Sequence, residues 1–238
     1  MDPFLSNFNE KIKKVVEDLP EDYVASREDI AYFKRYTGCD DYVLSRNVIK
    51  SVWDFFKSEL VNYDILGNRN KPAYVEVLHT NAGTGKILEE TPDNTIITAY
   101  NTDYVCKKIT DFVNQKRADE GNYFSDMIDI SHFFAVKNTN SQRKYDIVIT
   151  QPSNDYYKGI DCVGDVEKLD PLSYYTLRSG DFIDENGYIV VIHSLSEEQK
   201  LNELIDRTHN YEKMKNCCVE NDKAKRKSYQ ATIIRKIK

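Results

Sequence analysis

The stretch that most constrains this chain is residues 73–85, AYVEVLHTNAGTG, where an apolar run ends in a glycine-rich turn. Residues 74–78, YVEVL, are mainly apolar and include two β-branched valines, which predicts a largely buried strand. Gly83 and Gly85 permit close backbone approaches that a Cβ would prevent. Helix formers follow at 86–90, so the pattern predicts a helix whose first N–H groups face the strand end. Such a unit is a ligand site in some proteins and a plain connection in others.

Strand-like and helix-like runs alternate along the rest of the chain. This alternation predicts an α/β sheet with parallel central strands and right-handed crossovers. Two last strand candidates have no helix between them, which predicts a C-terminal antiparallel β-hairpin. Ser196 and Gln199 have capping-box spacing and predict the start of the last helix. The strand-like runs are 74–78, 95–100, 127–130, 145–150, 188–193, 211–215 and 229–234, and the helix-like runs are 86–90, 104–115, 172–183 and 197–207.

The N-terminal part predicts helices, because apolar residues recur there at three- and four-residue steps. Ser45 is a predicted N-cap. We interpret residues 1–66 as an N-terminal helical arm packed on the sheet, and residues 67–238 as an α/β domain that begins with the polar link 67–72. We expect arm and domain to form one compact unit. The helical pattern nearest the sheet domain consists of Val48, Val52, Phe55, Phe56 and Leu60.

Charge and composition exclude some classes of function. The 238 residues carry a net charge of −6, so bulk charge does not indicate a basic nucleic-acid binder, and contact with DNA would need a local patch. The basic run 223–227, KAKRK, is either a phosphate contact or a solvated hairpin tip. No run approaches the roughly 20 apolar residues of a membrane span.

The cysteines and histidines predict neither disulfides nor a metal site. The five cysteines are odd in number and lack CxxC spacing, and the chain starts without a signal-like segment, which favours reduced thiols and a cytoplasmic location. The four histidines are scattered without metal-ligand spacing. His132 and His193 lie at predicted strand ends, where a core-edge role is the simplest interpretation. His79 is either a turn-capping imidazole or part of a binding site.

Ligands of open α/β sheets bind beyond the carboxyl ends of the parallel strands. An acid after the second strand usually holds ribose hydroxyls in such folds, but this chain has the neutral Asn101 there. Asp103 either substitutes for that acid or caps the following helix. The strand-end rule selects His79, Thr80, Asn81, Asn101, Asp103, Asp129, Thr150, Gln151, Pro152, Ser153 and Asn154.

The ordered series VEVLHTNAGTGKI, TIITAYNTDY, MIDIS, YDIVITQPSND and GYIVVIHS, followed by a hairpin, resembles the S-adenosylmethionine-dependent methyltransferases, and most of all the N6-adenine DNA methyltransferases. The resemblance runs from about Tyr32 to the C-terminus and rests on order and spacing. It implies a Rossmann-like methyltransferase fold, with a mostly parallel seven-stranded sheet whose hairpin supplies the antiparallel seventh strand. It also implies S-adenosylmethionine as the cofactor.

The resemblance assigns roles to individual residues. Ala82, Gly83 and Gly85 would hold the methionine part of the cofactor, with His79 at the start of that turn. Asn101 would hold the ribose, and Asp129 would bond the adenine ring. His79 and Thr80 stand where the family has an acid and a proline, and Asn101 stands where it has an acid.

The predicted catalytic turn departs further from the family. The family has Asn or Asp, Pro, Pro and an aromatic residue, where this chain has Gln151, Pro152, Ser153 and Asn154. In that chemistry the amide accepts hydrogen bonds from the adenine amino group, and the aromatic ring stacks on the flipped base. The longer arm of Gln151 displaces the amide by about one ångström, which costs about 100-fold in rate. Tyr156 or Tyr157, each within three residues of Asn154, is a candidate for the missing stacking ring.

Three hypotheses follow. The first is a methyltransferase-fold protein with weak or lost catalysis that serves as a cofactor- or nucleic-acid-associated subunit or a decoy module. The second is an active methyltransferase on adenine in DNA or on another amino-group substrate. The third is an α/β scaffold that binds neither cofactor nor DNA. Because there is no room for a target-recognition region between residues 152 and 188, sequence-specific DNA reading would need a partner protein.

Overall fold

The computed structural model describes residues 46–62, 74–82, 86–88, 90–101, 107, 110–111, 114–127, 143–152, 170–217 and 229–237. Within these residues, seven strands form one sheet in the order β3-β2-β1-β4-β5-β7-β6. The strands are β1 (Val75–His79), β2 (Thr95–Asn101), β3 (Tyr123–Met127), β4 (Tyr145–Thr150), β5 (Ile183–Ser194), β6 (Tyr211–Cys217) and β7 (Tyr229–Lys236).

Strand directions confirm the predicted topology. The first five strands pair in parallel, with β1 between β2 and β4. The last strand, β7, is antiparallel to both β5 and β6. The β6–β7 pair therefore completes a mostly parallel α/β sheet with an antiparallel C-terminal hairpin. Parallel pairing requires crossovers, and it brings the carboxyl ends of β1, β2 and β4 to one edge of the sheet.

Four α-helices and two short 3₁₀ helices are described. The α-helices are α1 (Arg46–Asn62), α2 (Gln115–Asp119), α3 (Pro171–Gly180) and α4 (Glu198–Thr208), and the 3₁₀ helices are Lys86–Leu88 and Leu195–Glu197. Asp170 caps α3, since its side chain accepts a hydrogen bond from the Ser173 backbone N–H at 3.3 Å. Within the described residues, no helix is long and apolar enough to cross a membrane.

Helix α1 covers one face of the sheet with the predicted apolar stripe. Val48, Val52 and Phe56 are buried, as predicted. The Phe56 ring meets the Tyr188 ring of β5 edge to face, at 5.4 Å between centroids. The buried Trp53 donates its Nε1–H to the Ile87 carbonyl at 2.5 Å. The helix is therefore tied both to the centre of the sheet and to the 3₁₀ helix that follows β1.

The opposite face is covered by α3 and α4. Leu172 and Tyr175 of α3 are buried there, together with Leu201 and Leu204 of α4. Each fully buried aliphatic side chain contributes about 1.5–3 kcal/mol relative to its exposed state. The central strands are thus buried on both faces, which explains why their sequences are continuously apolar.

Three local predictions were wrong. The third strand begins at Tyr123 rather than at 127 and is described up to Met127, and its side chains are half-buried or exposed because it lies at the sheet edge. The predicted helix at 86–90 is only the 3₁₀ helix Lys86–Leu88, since the N–H and Oγ1 of Thr91 both donate to the Leu88 carbonyl and Pro92 follows. The capping box uses Ser194 and Glu197 instead of Ser196 and Gln199.

Most other described elements agree in position, with small shifts, but α2 was not predicted, and most of the predicted helix 104–115 lies outside the described residues. Helix α3 ends at Gly180, before the predicted 183. The fourth strand has the predicted bounds, 145–150, and β5 begins at Ile183, five residues before the predicted 188. Several predictions lie outside the described residues: the arm before residue 46 with its Ser45 cap, the whole link 67–72, and the basic run 223–227.

Candidate functional site

The turn after β1 joins the ends of three neighbouring strands. The Thr80 backbone N–H donates to the Ile149 carbonyl of β4 at 3.0 Å, and the Thr80 hydroxyl donates to Thr150 Oγ1 at 3.2 Å. Two residues on, the Ala82 backbone N–H donates to the Tyr100 carbonyl of β2 at 2.9 Å. The turn therefore crosses the carboxyl edge from β4 to β2, and the strand ends converge as predicted.

His79 ends β1 as a buried, neutral group. Its side chain is 0% exposed, and by alternation it lies on the same face as Val75 and Val77, beneath α1. Burial lowers the pKa of His79 to about 3, because the imidazolium would lose its hydration. At the position where the resembled family has an acid, this chain thus has the His79 ring, which is uncharged at neutral pH.

Asn101 ends β2 with its amide buried at the same edge. Its Nδ2 donates to the Thr110 hydroxyl at 3.2 Å, and Asn101 is only 1% exposed. Thr110 is held in turn, because its carbonyl accepts hydrogen bonds from Asn114. The Oδ1 atom of Asn101 accepts no hydrogen bond from the part of the chain that the structure describes. A buried acceptor of this kind suits a hydroxyl donor.

Sequence reasoning missed the role of Thr110. Thr110 lies nine residues after Asn101 and orients its amide through a side-chain hydrogen bond. No spacing motif distinguishes such a threonine from one that only fills space, so the tertiary contact was needed to find it.

Gln151 and Pro152 follow β4 directly. Gln151 is 8% exposed and Pro152 is half-buried. The preceding Thr150 holds them beside the β1 turn through its contact with the Thr80 hydroxyl. An amide here can accept a hydrogen bond from an amino group, but the burial of Gln151 leaves it little surface for a substrate.

Of the predicted cofactor and catalytic residues, the structure brings five to one edge: His79, Ala82, Asn101, Gln151 and Pro152. We call this group the strand-end site. Gly83, Gly85, Asp129 and Tyr156 lie outside the described residues, so their roles stay predictions. Among the residues that are described, no cluster of His, Cys, Asp or Glu could hold a metal ion.

No protein-family model and no curated protein sequence matches the chain. Several solved structures do match the chain. A protein from Streptococcus mutans classed as a SAM-dependent methyltransferase superposes with a TM-score of 0.52 at 13% identity, over 76% of this chain and 48% of that one. The chain therefore spans about half the length of this relative.

Two further structures cover more of their own length. The protein yhhF from Escherichia coli, classed as a methyltransferase, gives a TM-score of 0.53 at 12% identity, over 81% of this chain and 86% of that one. The N-methyltransferase NodS from Bradyrhizobium japonicum, in complex with S-adenosyl-L-homocysteine, gives 0.51 at 11% identity, over 87% and 98%. At these identities the comparisons establish the fold, which is the Rossmann-like methyltransferase fold.

Proposed function

We propose that this chain binds S-adenosylmethionine at the strand-end site and that its methyl transfer to adenine is weak or lost. The buried Oδ1 of Asn101 carries the cofactor part of the proposal. It is an acceptor without a described donor, at the end of β2. Ribose hydroxyls are donors that would satisfy it, and leaving such an acceptor unsatisfied costs about 1–3 kcal/mol.

The types of residue at the other predicted positions suit the methionine part and the adenine ring of the cofactor. The turn that begins at Ala82 and continues through Gly83 and Gly85 would hold the methionine part, and Asp129 would bond the adenine ring. When bound, S-adenosylmethionine supplies an activated methyl group. The neutral His79 and Asn101 give no charge pairing to its ammonium or sulfonium groups, so we expect weaker binding than with acids at these positions.

Weak or lost transfer is proposed from Gln151. Its amide is of the right chemical type, but it sits on a longer arm than Asn and is only 8% exposed. Misplacement by about one ångström costs about 100-fold in rate. Such a chain would serve as a cofactor- or nucleic-acid-associated subunit, and sequence reading on DNA would come from a partner protein.

One observation favours the active alternative. The Thr80 hydroxyl joins the β1 turn to Thr150 at the end of β4, and this contact supports Gln151 and Pro152 as the proposed catalytic turn. The substrate of an active enzyme would be adenine in DNA or another amino group.

The division into a helical arm, 1–66, and an α/β domain, 67–238, also stays a proposal. The packing of α1 under β5 and its Trp53 hydrogen bond support one compact unit.

Calorimetry with S-adenosylmethionine tests the cofactor proposal. We expect Asn101→Leu to weaken binding roughly tenfold and Asn101→Asp to strengthen it by a similar factor, since an ionised acceptor bonds hydroxyls more strongly. Asn210→Ala, at an exposed asparagine, is the matched control. Absence of heat at millimolar cofactor would leave the non-binding scaffold as the better interpretation.

Methyl transfer to adenine-containing DNA tests the catalytic part separately. We expect cofactor binding without appreciable transfer. A measurable activity that Gln151→Ala abolishes, with cofactor affinity retained, would show that the chain is an active enzyme.

A further inference from the structure

Four side chains form a hydrogen-bonded chain from the end of β5 to the surface of α4. His193 Nε2 lies 2.8 Å from Thr232 Oγ1, and its Nδ1 lies 2.9 Å from the Ser194 carbonyl oxygen. Thr232 Oγ1 lies 2.7 Å from Asn216 Oδ1, and Asn216 Nδ2 donates to Glu198 Oε1. We call His193, Thr232, Asn216 and Glu198 the histidine relay. It links β5, β7, β6 and α4.

Glu198 sets the direction of the relay at its outer end. Its carboxylate only accepts hydrogen bonds, and Lys213 Nζ also donates to it at 3.3 Å. The amide of Asn216 must therefore turn its NH₂ group to Glu198 and its oxygen to Thr232. Because that oxygen accepts, the single hydroxyl proton of Thr232 is used in the bond to Asn216.

At the inner end of the relay, the contact between His193 and Thr232 lacks a bonding proton while the histidine ring is neutral. The Ser194 carbonyl only accepts, so Nδ1 of His193 carries hydrogen. A neutral ring has no second N–H. Its Nε2 and Thr232 Oγ1 would then be two acceptors 2.8 Å apart with no hydrogen between them. All four bonds exist together only when Nε2 also carries a proton.

We propose that His193 is a proton-linked switch: the protonated ring lets Thr232 donate to Asn216, and the neutral ring draws the Thr232 hydroxyl to itself and releases Asn216. The proton comes from solvent and binds Nε2, and no other covalent bond changes. The switch lies one strand from the catalytic turn, since Thr150 of β4 pairs with Val191 of β5. It is independent of whether the chain transfers methyl groups.

The charges around the ring place the switch on the acid side of neutrality. Burial lowers the pKa of His193, and the Ser194 carbonyl, Glu197 and Glu198 oppose that effect, while Lys213 adds to it. Burial raises the pKa of Glu198, but its neighbours, Gln230, Lys213 and Asn216, lower it by more. The pKa of Glu198 therefore lies below its ordinary value, which favours the ionised carboxylate.

Nitrogen-15 NMR of histidine-labelled full-length protein, titrated with acid, tests the switch through the sign of a pKa change. Thr232→Val keeps the side-chain shape and removes the hydroxyl. We expect it to lower the proton affinity of His193 about tenfold, because the imidazolium loses its acceptor. Thr232→Ser should restore it. A rise in proton affinity would mean that the hydroxyl stabilises the neutral ring more than the protonated ring, and no change would mean that Thr232 is uninvolved; either result overturns the proposal.

A surface variant provides a second test that leaves the core intact. Glu198→Gln removes the group that orients Asn216 and should lower the proton affinity of His193 several-fold more than Glu197→Gln, which removes an equal charge without touching Asn216. In a Thr232→Val background the difference between these two variants should vanish. If the difference persists, Glu198 acts on His193 through its charge alone and not through Asn216 and Thr232, and the proposal is overturned.

Discussion

The strand-end site and the histidine relay both bury polar groups at the carboxyl ends of strands, but they satisfy them differently. In the strand-end site the Asn101 amide has a donor contact to Thr110 and an acceptor that no described residue fills. In the relay each member contacts the next, and the series of hydrogen bonds ends on the half-buried carboxylate of Glu198. A buried acceptor left open points to a ligand, whereas a closed chain points to an internal role.

The two regions also differ in charge and in support. The strand-end site has the neutral His79 and Asn101, and it rests on the α1 side through the Trp53 bond to Ile87. The relay ends on the ionised Glu198 and is held by α4 and the hairpin. Variants that damage one region should therefore leave the other largely intact.

The largest effect is expected from Trp53→Ala. This change removes a fully buried indole and its bond to the Ile87 carbonyl, which should cost about 4 kcal/mol in the free energy of unfolding. Urea denaturation measures the loss. Lys57→Ala, on the exposed side of the same helix, is the control and should change stability by less than about 0.5 kcal/mol. An equally small effect of Trp53→Ala would contradict the view that α1 supports the site.

Acid should destabilise the fold through His79. Its folded-state pKa of about 3 lies below the unfolded value of 6.5, so the unfolded state binds more protons between these values. The stabilising contribution is complete above pH 6.5 and is lost as the pH falls toward 3. Between pH 7.5 and 5 this amounts to about 2 kcal/mol from His79 alone.

Chemical denaturation at the two pH values checks this expectation. His79→Gln should reduce the difference by about 2 kcal/mol, whereas His209→Asn, at an exposed position with left-handed backbone (φ 52°), should keep it. Equal pH dependence in the wild type and in His79→Gln would mean that the buried imidazole is not the source.

The smallest effect is expected from Thr80→Val. The hydroxyl of Thr80 contacts Thr150 Oγ1 at 3.2 Å and the Ile149 carbonyl at 3.4 Å, so its loss should cost about 1 kcal/mol. Thermal unfolding measures the change, and Thr80→Ser should retain the hydroxyl bond. If valine and serine behave alike, the hydroxyl does not join the turn to β4.

Burial decided how well each strand could be predicted. The bounds of β4 were predicted to the residue, because YDIVIT is buried on both faces and bounded by polar residues. The edge strand β3, YFSDM, needs little apolar content, so the apolar pattern favours MIDI, which overlaps β3 only at Met127. Periodicity reports burial, and an edge strand has little of it.

The candidate site divides in a similar way. Parallel topology was enough to predict that His79, Asn101 and Gln151 would meet at one edge. The exposure of each was not predictable, since the same histidine could cap a turn or lie buried under α1. The contacts of Asn101 with Thr110 and of Trp53 with Ile87 join residues 9 and 34 positions apart, and no local pattern encodes them.

The sequence by itself determined the strand and helix alternation, the antiparallel hairpin at the C-terminal end and the strand-end position of the candidate residues. These follow from local patterns of apolar residues and turn formers, which act over a few positions. Only the tertiary structure decided that His79 is neutral, that Asn101 keeps an open acceptor and that His193 joins Glu198 through Thr232 and Asn216. Desolvation and side-chain hydrogen bonds depend on neighbours brought from distant parts of the chain.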